Sequence, residues 1–311
     1  MVTRADIEAA AARIAGYVRE TPVLQIATSS HRQVFLKLET LQHSGSFKPR
    51  GAFNTLLSQA VPEAGVIAAS GGNHGAAVAY AAQQLGLRAE IFVPTIAAAA
   101  KVARIKSYGA QIQQTGANYS EALATCEARR AVTGAMGIHA YAAAATIAGQ
   151  GTLAREFEQQ VPELDAVLVA VGGGGLIGGV AAWYAAQTPR CTQIIAVEPA
   201  TSCALHAALA HGAPVDVSVS GIAADSLGAT RVGDLNHALC QAADVRAVLV
   251  DDAEIRHAQT WLWTNCRVVA EPGGAAALAA LLSGKAGLPP EAKVGVIVCG
   301  ANCDPASVVS A

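Results

Sequence analysis

The stretch from Ala166 to Ala186 runs for twenty-one residues without a charge, and four consecutive glycines, Gly172 to Gly175, divide it. About 20 apolar residues are enough to cross a bilayer as a helix. The glycines exclude that reading, because each costs about 0.8–1 kcal/mol against alanine in a helix interior. What remains is an apolar strand, Ala166 to Val171, a glycine turn and a helix, Leu176 to Ala186. The same order recurs along the chain. Strands are predicted at Val34 to Leu38, Val66 to Ser70, Ala89 to Val93, Gln111 to Gln114, Gln193 to Val197, Ala247 to Val250 and Val294 to Cys299. Helices are predicted at Gly75 to Leu85, Ala98 to Tyr108, Tyr119 to Thr133, Thr152 to Gln160, Asp252 to Thr264 and Gly274 to Leu282. Strands alternating with helices are the pattern of an α/β fold with a parallel sheet, and continuous apolar strands belong to a sheet covered on both faces.

Composition narrows the partners. With 21 Lys and Arg against 23 Asp and Glu, the formal charge is -2, so there is no basic footprint for nucleic acid or an acidic membrane surface. Charged residues make up 14% of the chain, where about 25% is usual, so Ala, Val, Leu and Ile must build most of the core. Seven cysteines at irregular spacings fit a reducing compartment better than a disulfide framework. Met1 to Glu20 carries Arg4, Asp6, Glu8 and Arg13 and no apolar leader-like run, so a cytoplasmic location is expected. At 311 residues, about two domains are expected.

Three strand ends carry glycine, and such carboxyl ends are where open α/β sheets bind ligands. The first is Ser70-Gly71-Gly72-Asn73-His74-Gly75, whose amides at a helix start suit a carboxylate or a phosphate. An ordinary turn capped by Asn73 would read the same. The second is Gly172 to Gly175, where bare backbone suits a phosphate. Gly173, Gly175 and Gly178 also satisfy the G-x-G-x-x-G pattern, with Glu198 twenty residues on, so a nicotinamide-dependent oxidoreductase is the rival reading. The third is Cys299-Gly300-Ala301-Asn302-Cys303-Asp304; its Cys-x3-Cys pair has no second pair beside it, so no metal site is expected. Of six lysines, Lys48 stands apart in Ser44-Gly45-Ser46-Phe47-Lys48-Pro49-Arg50-Gly51-Ala52, at the entrance to a helix. There the helix dipole disfavours the ammonium and favours the nucleophilic amine.

These motifs, together with Val197-Glu198-Pro199 and Glu271-Pro272-Gly273-Gly274-Ala275, resemble in their order the fold-type II pyridoxal phosphate enzymes. The resemblance is greatest to the serine/threonine dehydratase (threonine ammonia-lyase) and serine racemase family, and it covers nearly the whole chain. It implies a tryptophan synthase β-like architecture, two open parallel-sheet α/β domains with pyridoxal 5'-phosphate in the cleft. The large domain would comprise 1–59 and 143–311, and a small inserted domain 60–142. Lys48 would hold the cofactor aldehyde and act as the catalytic base. Asn73 would bond the phenolic oxygen, Gly172, Gly173, Gly174 and Gly175 would cradle the phosphate, and Cys299 would face the pyridine nitrogen. Phe47, Leu176 and Glu271 complete the implied cofactor set. Ser70, Gly71, Gly72, Asn73 and His74 would hold the substrate carboxylate. The implied reaction is dehydration and deamination of a 3-hydroxy L-amino acid, threonine or serine first, to a 2-oxo acid and ammonia. A phenylserine or hydroxyaspartate type of substrate, racemisation, and a catalytically silent protein on the same fold are the alternatives. A homodimer is implied by the resemblance alone.

Three departures qualify it. Racemases of this branch carry serine where this chain has Gly71, and glycine has no proton to return to Cα. Metal-binding members place a carboxylate at the position of Ala204, so the set Glu198, Ser202, Ala204 is a poor site for a hard cation. His139-Ala140-Tyr141-Ala142-Ala143-Ala144-Ala145 stands where relatives carry an aromatic-Asp-Asp/Asn-Pro segment, which leaves the side-chain preference open.

Overall fold

A computed structural model describes residues 1–27, 33–97, 99–187 and 192–309. Its apolar runs assemble into two sheets. The strands are β1 (Val23–Ala27), β2 (Gln33–Leu38), β3 (Val66–Ala69), β4 (Ala89–Val93), β5 (Gln111–Gln114), β6 (Met136–Gly137), β7 (Ala166–Ala170), β8 (Gln193–Pro199), β9 (Arg246–Val250) and β10 (Lys293–Val298). Among the described residues, one sheet has the order β1-β2-β10-β7-β8-β9 and the other β5-β4-β3-β6. All pairings are parallel except that of β1 with β2. The parallel α/β expectation therefore holds, with an antiparallel edge added.

Every residue of β7 is buried. Successive side chains point to opposite faces, so both faces of the sheet are covered. Helices Gly175–Tyr184 and Pro272–Leu282 lie against β7 and β8. No helix among the described residues is long and apolar enough to cross a membrane.

Two helices tie the sheets together. Helix Lys48–Leu57 buries Phe53 and Leu56 in the core of the four-stranded sheet, while its first residue, Lys48, sits beside the end of β10. Helix Ala144–Gln160 packs against it and against Gly175–Tyr184. Sequence reasoning starts this second helix at Thr152, but it runs from Ala144 through Gly149 and Gly151, residues that weaken helix propensity. Both glycines serve close packing instead: a Cβ at Gly149 would lie 2.5 Å from the Arg50 carbonyl oxygen, and one at Gly151 would lie 2.6 Å from Ile7. Helix Ala99–Ser107 is shorter than expected, and Ala98 lies outside the described residues.

Beneath the start of helix Lys48–Leu57 lies a buried ionic cluster. Arg50 donates to both carboxylate oxygens of Glu39, at 2.9 and 2.8 Å, and its Nη1 lies 3.0 Å from Glu156. Lys37 donates to Glu156 at 2.5 Å and to the Thr21 carbonyl at 2.6 Å. Arg50 is 1% exposed, and Glu39 and Lys37 are fully buried. Burial opposes the charge of Arg50, but Glu39 and Glu156 more than offset it and raise its pKa.

Candidate active site

The loop before Lys48 and the loop after β10 are separated by some 250 positions yet bonded side by side. The Phe47 amide donates to the Cys299 carbonyl at 3.1 Å, and the Ala301 amide to the Gly45 carbonyl at 2.9 Å. Ser46 and Gly300 form an antiparallel bridge. This clip sets Lys48 and Cys299 in the lining of one cleft. Burial lowers the Lys48 pKa to about 8, against the opposing pull of Cys299 and Glu271. Enclosure by the fold thus activates the amine, a cause that the helix dipole named from the sequence does not include. Its Nζ donates to the Ala140 carbonyl at 3.0 Å.

The glycine loop forms the opposite wall. Gly174 caps helix Gly175–Tyr184 in the left-handed region, at φ 90°, where a side chain would be strained. A Cβ at Gly173 would lie 2.3 Å from the Tyr141 ring, so the ring packs directly on the loop. Asn236 holds the loop from behind, donating to the Gly173 carbonyl at 2.9 Å and to the Tyr141 carbonyl at 3.0 Å. Part of the demand for glycine thus comes from the protein's own side chains. Among the described residues, the amides of Gly172 to Leu176 find no acceptor. Unpaired amides at a helix N-terminus are the donor set a phosphate needs.

Asn73 opens helix Asn73–Gln84 at the end of β3. Its Nδ2 donates to Glu271 Oε1 at 2.5 Å. Burial raises the pKa of Glu271, although the Asn73 bond works the other way. Burial also pushes the Cys299 thiol up to about 12, so it is neutral at physiological pH. Its Sγ lies 3.5 Å from the Gly273 carbonyl. A lysine amine, an amide donor, a neutral thiol and a row of free amides thus face one cleft. This donor set fits pyridoxal 5'-phosphate, whose aldehyde, phenolic oxygen, ring nitrogen and phosphate would be met in that order.

Of the cofactor residues read from the sequence, Phe47, Lys48, Asn73, Gly172 to Gly175, Leu176, Glu271 and Cys299 all line this cleft. Of Ser70 to His74, expected to hold a carboxylate, Asn73 lines the cleft. The Gly72 amide is already bonded to Ser70 Oγ at 3.2 Å. The His74 ring is turned away, with Nε2 2.8 Å from the Ile138 carbonyl, and burial lowers its pKa to about 3. The His74 imidazole is therefore committed to the Ile138 carbonyl rather than to the cleft.

Glu198 does not serve a nucleotide ribose. Its carboxylate accepts from the Leu205 and His206 amides at 2.8 and 2.7 Å, and burial lifts its pKa to about 7. Ser202 Oγ donates to the Leu227 carbonyl at 2.9 Å. Among the described residues no group of three or more His, Cys, Asp or Glu side chains is arranged to hold a metal. Tyr141, Ser226, Leu227 and Gly273 also line the cleft without having been assigned there. Tyr141 had a signal, as part of the departing segment; Asn236, behind the loop, had none.

Comparison with known proteins bears on the family and the fold. The family model for pyridoxal-phosphate dependent enzymes matches residues 14–300. Phenylserine dehydratase of Ralstonia pickettii is 37% identical over 301 residues, 95% of this chain and 92% of that protein. A biosynthetic L-threonine dehydratase of Haemophilus influenzae is 42% identical over 253 residues, 81% of this chain and 49% of that protein, so the match spans about half its length. The structure of maize serine racemase superposes with a TM-score of 0.90 at 36% identity, covering 97% of this chain and 94% of that one.

Proposed function

The chain belongs to the pyridoxal-phosphate dependent enzymes, and from that premise we propose that it is an ammonia-lyase acting on a 3-hydroxy L-amino acid, L-threonine or L-serine first. The observation that carries the reading is the meeting of the Lys48 amine, the Asn73 amide, the Cys299 thiol and the free glycine-loop amides in one cleft. The bound cofactor supplies an aldehyde that captures the substrate amine and a ring that accepts the electrons of the broken Cα–H bond. The protein does the rest. Lys48, with a pKa of about 8, is near enough to neutrality to take the Cα proton. The glycine-loop amides bind the anionic phosphate, and the amides of Gly71, Asn73 and His74, which find no acceptor among the described residues, hold the substrate carboxylate. Cys299 stays protonated and brings no charge to the ring nitrogen. Loss of the Cα proton and of the β-hydroxyl as water leaves an enamine, which hydrolyses to a 2-oxo acid and ammonia.

A second reading, a bulkier phenylserine-type substrate, is supported by two observations. Phenylserine dehydratase matches 95% of this chain, and the departing segment puts the Tyr141 ring in the cleft lining. Assay of 2-oxo acid and ammonia from L-threonine, L-serine, phenylserine and 3-hydroxyaspartate tests both. Turnover of threonine or serine is the expected result, a preference for phenylserine would favour the second reading, and no turnover at all would overturn both.

Gly71 makes dehydration the expected outcome over racemisation. A Cβ there would lie 3.2 Å from the Ala97 Cβ, a contact that yields by a few tenths of an ångström. Gly71→Ser should therefore fold, supply a hydroxyl proton, and raise conversion of L-serine to D-serine at least about tenfold over wild type on a chiral column. Equal D-serine from both proteins would show that position 71 does not decide the outcome. The division into 1–59 with 143–311 and an inserted 60–142 is part of the same proposal, supported by a four-stranded sheet drawn wholly from the insert. So is a cytoplasmic homodimer, which sedimentation would test.

A further inference from the structure

An asparagine amide has a donor end and an acceptor end, so Asn73 serves the cofactor only when the correct end faces the cleft. A chain of one-way hydrogen bonds fixes that end. Arg104, exposed on helix Ala99–Ser107, can only donate, and its Nη1 donates to Asn302 Oδ1. The Ser44 carbonyl can only accept, and it takes Asn302 Nδ2 at 2.8 Å. These two partners leave Asn302 one orientation, with its oxygen toward Arg104 and its nitrogen toward Ser44 and Asn73. Asn302 Nδ2 accordingly donates to Asn73 Oδ1. Asn73 must then turn its own Nδ2 the other way, where one N–H meets Glu271 at 2.5 Å. Among the described residues its second N–H has no acceptor, and Asn73 lines the cleft.

We propose that Asn302 is a positioning residue: anchored by Arg104 and Ser44, it holds the Asn73 amide with its donors toward the phenolic oxygen of the cofactor. The inference rests on the proposed cofactor role of Asn73. It also links helix Ala99–Ser107, which packs beside the four-stranded sheet, to the end of β10 in the other sheet.

Asn302→Asp tests it with little change of shape. The aspartate keeps the bond to Arg104 but presents only acceptors to Ser44 and Asn73, so it draws the Asn73 donors back toward itself in competition with Glu271. Cofactor affinity of the apo-protein should fall on the order of tenfold, and the visible band of the holoenzyme should shift as it does in Asn73→Ala. Arg104→Glu reverses the polarity from the other end and should shift the band the same way, whereas Arg104→Lys keeps an obligate donor and should match wild type. Because Arg104 is exposed, this pair decides the matter even if Asn302→Asp fails to fold. A shifted band in Asn73→Ala with wild-type bands in Asn302→Asp and Arg104→Glu overturns the inference alone. Unchanged affinity and band in Asn73→Ala overturn the role of Asn73 and the inference with it.

Discussion

Lys48→Ala should abolish turnover, by at least about a thousandfold, and should remove the visible absorbance that marks a covalently held pyridoxal phosphate. Both losses follow from one amine. The variant should still bind the cofactor non-covalently, because the amides of Gly172 to Leu176 are untouched. A retained band would place the attachment on another lysine and sink the assignment. The wild-type amine also carries a pH dependence whose sign is fixed by its lowered pKa. Below about pH 8 the folded protein holds Lys48 as an ammonium, which is not nucleophilic. Attachment of the cofactor to apo-protein should therefore quicken with pH, about tenfold per unit, and level off above about pH 8. A lysine with its ordinary pKa would go on accelerating well beyond that point.

Features that act locally were legible in the sequence, and features that act through packing were not. Helix Tyr119–Thr133 has the bounds the sequence predicts, with Asn118 capping its start and Gly134, at φ 69°, ending it. Gly172 to Gly175 and Ser70 to His74 read clearly because each is a strand end, a turn and a helix start in consecutive residues. β1 passed unnoticed: it is a short edge strand, half exposed, whose only buried residue is Ile26. Asn302 stood within a quoted motif, yet its bonds to Arg104, Ser44 and Asn73 cross the chain by some 200 positions or more. The lowered pKa of Lys48 was anticipated from the helix dipole alone, since no sequence pattern reports how deeply an amine is enclosed. Tyr141 and Asn236 complete the glycine-loop wall from a distance, and nothing in the loop's own sequence names them.

Arg50→Met should destabilise the fold by about 3–5 kcal/mol, lowering the melting temperature by roughly 5–10 °C. The change is close in volume, so packing loss is small and the effect is electrostatic. Among the described residues it leaves Glu39, fully buried, with only the Thr21 hydroxyl as a side-chain donor, 2.6 Å from its Oε1, in place of a bidentate guanidinium. Adding Glu39→Leu should restore much of the loss, because an apolar pair replaces the ion pair while Lys37 still serves Glu156. A double variant no more stable than the single one would refute the unpaired carboxylate as the cause. The acid limb gives a second check. Burial raises the Glu156 pKa, but Arg50 and Lys37 outweigh it and hold the carboxyl below its ordinary value. A depressed folded-state pKa adds stability above the unfolded-state value, and that stability is lost as pH falls through the folded one. Arg50→Met should lose less stability than wild type over that window, because the stronger of the two cations that hold Glu156 down is already gone. Lys48 stands two positions from Arg50 on the same helix, so the variant also separates fold from chemistry. Well below its melting temperature it should keep the visible band, since the clip between Phe47 and Cys299 still holds the amine in the cleft.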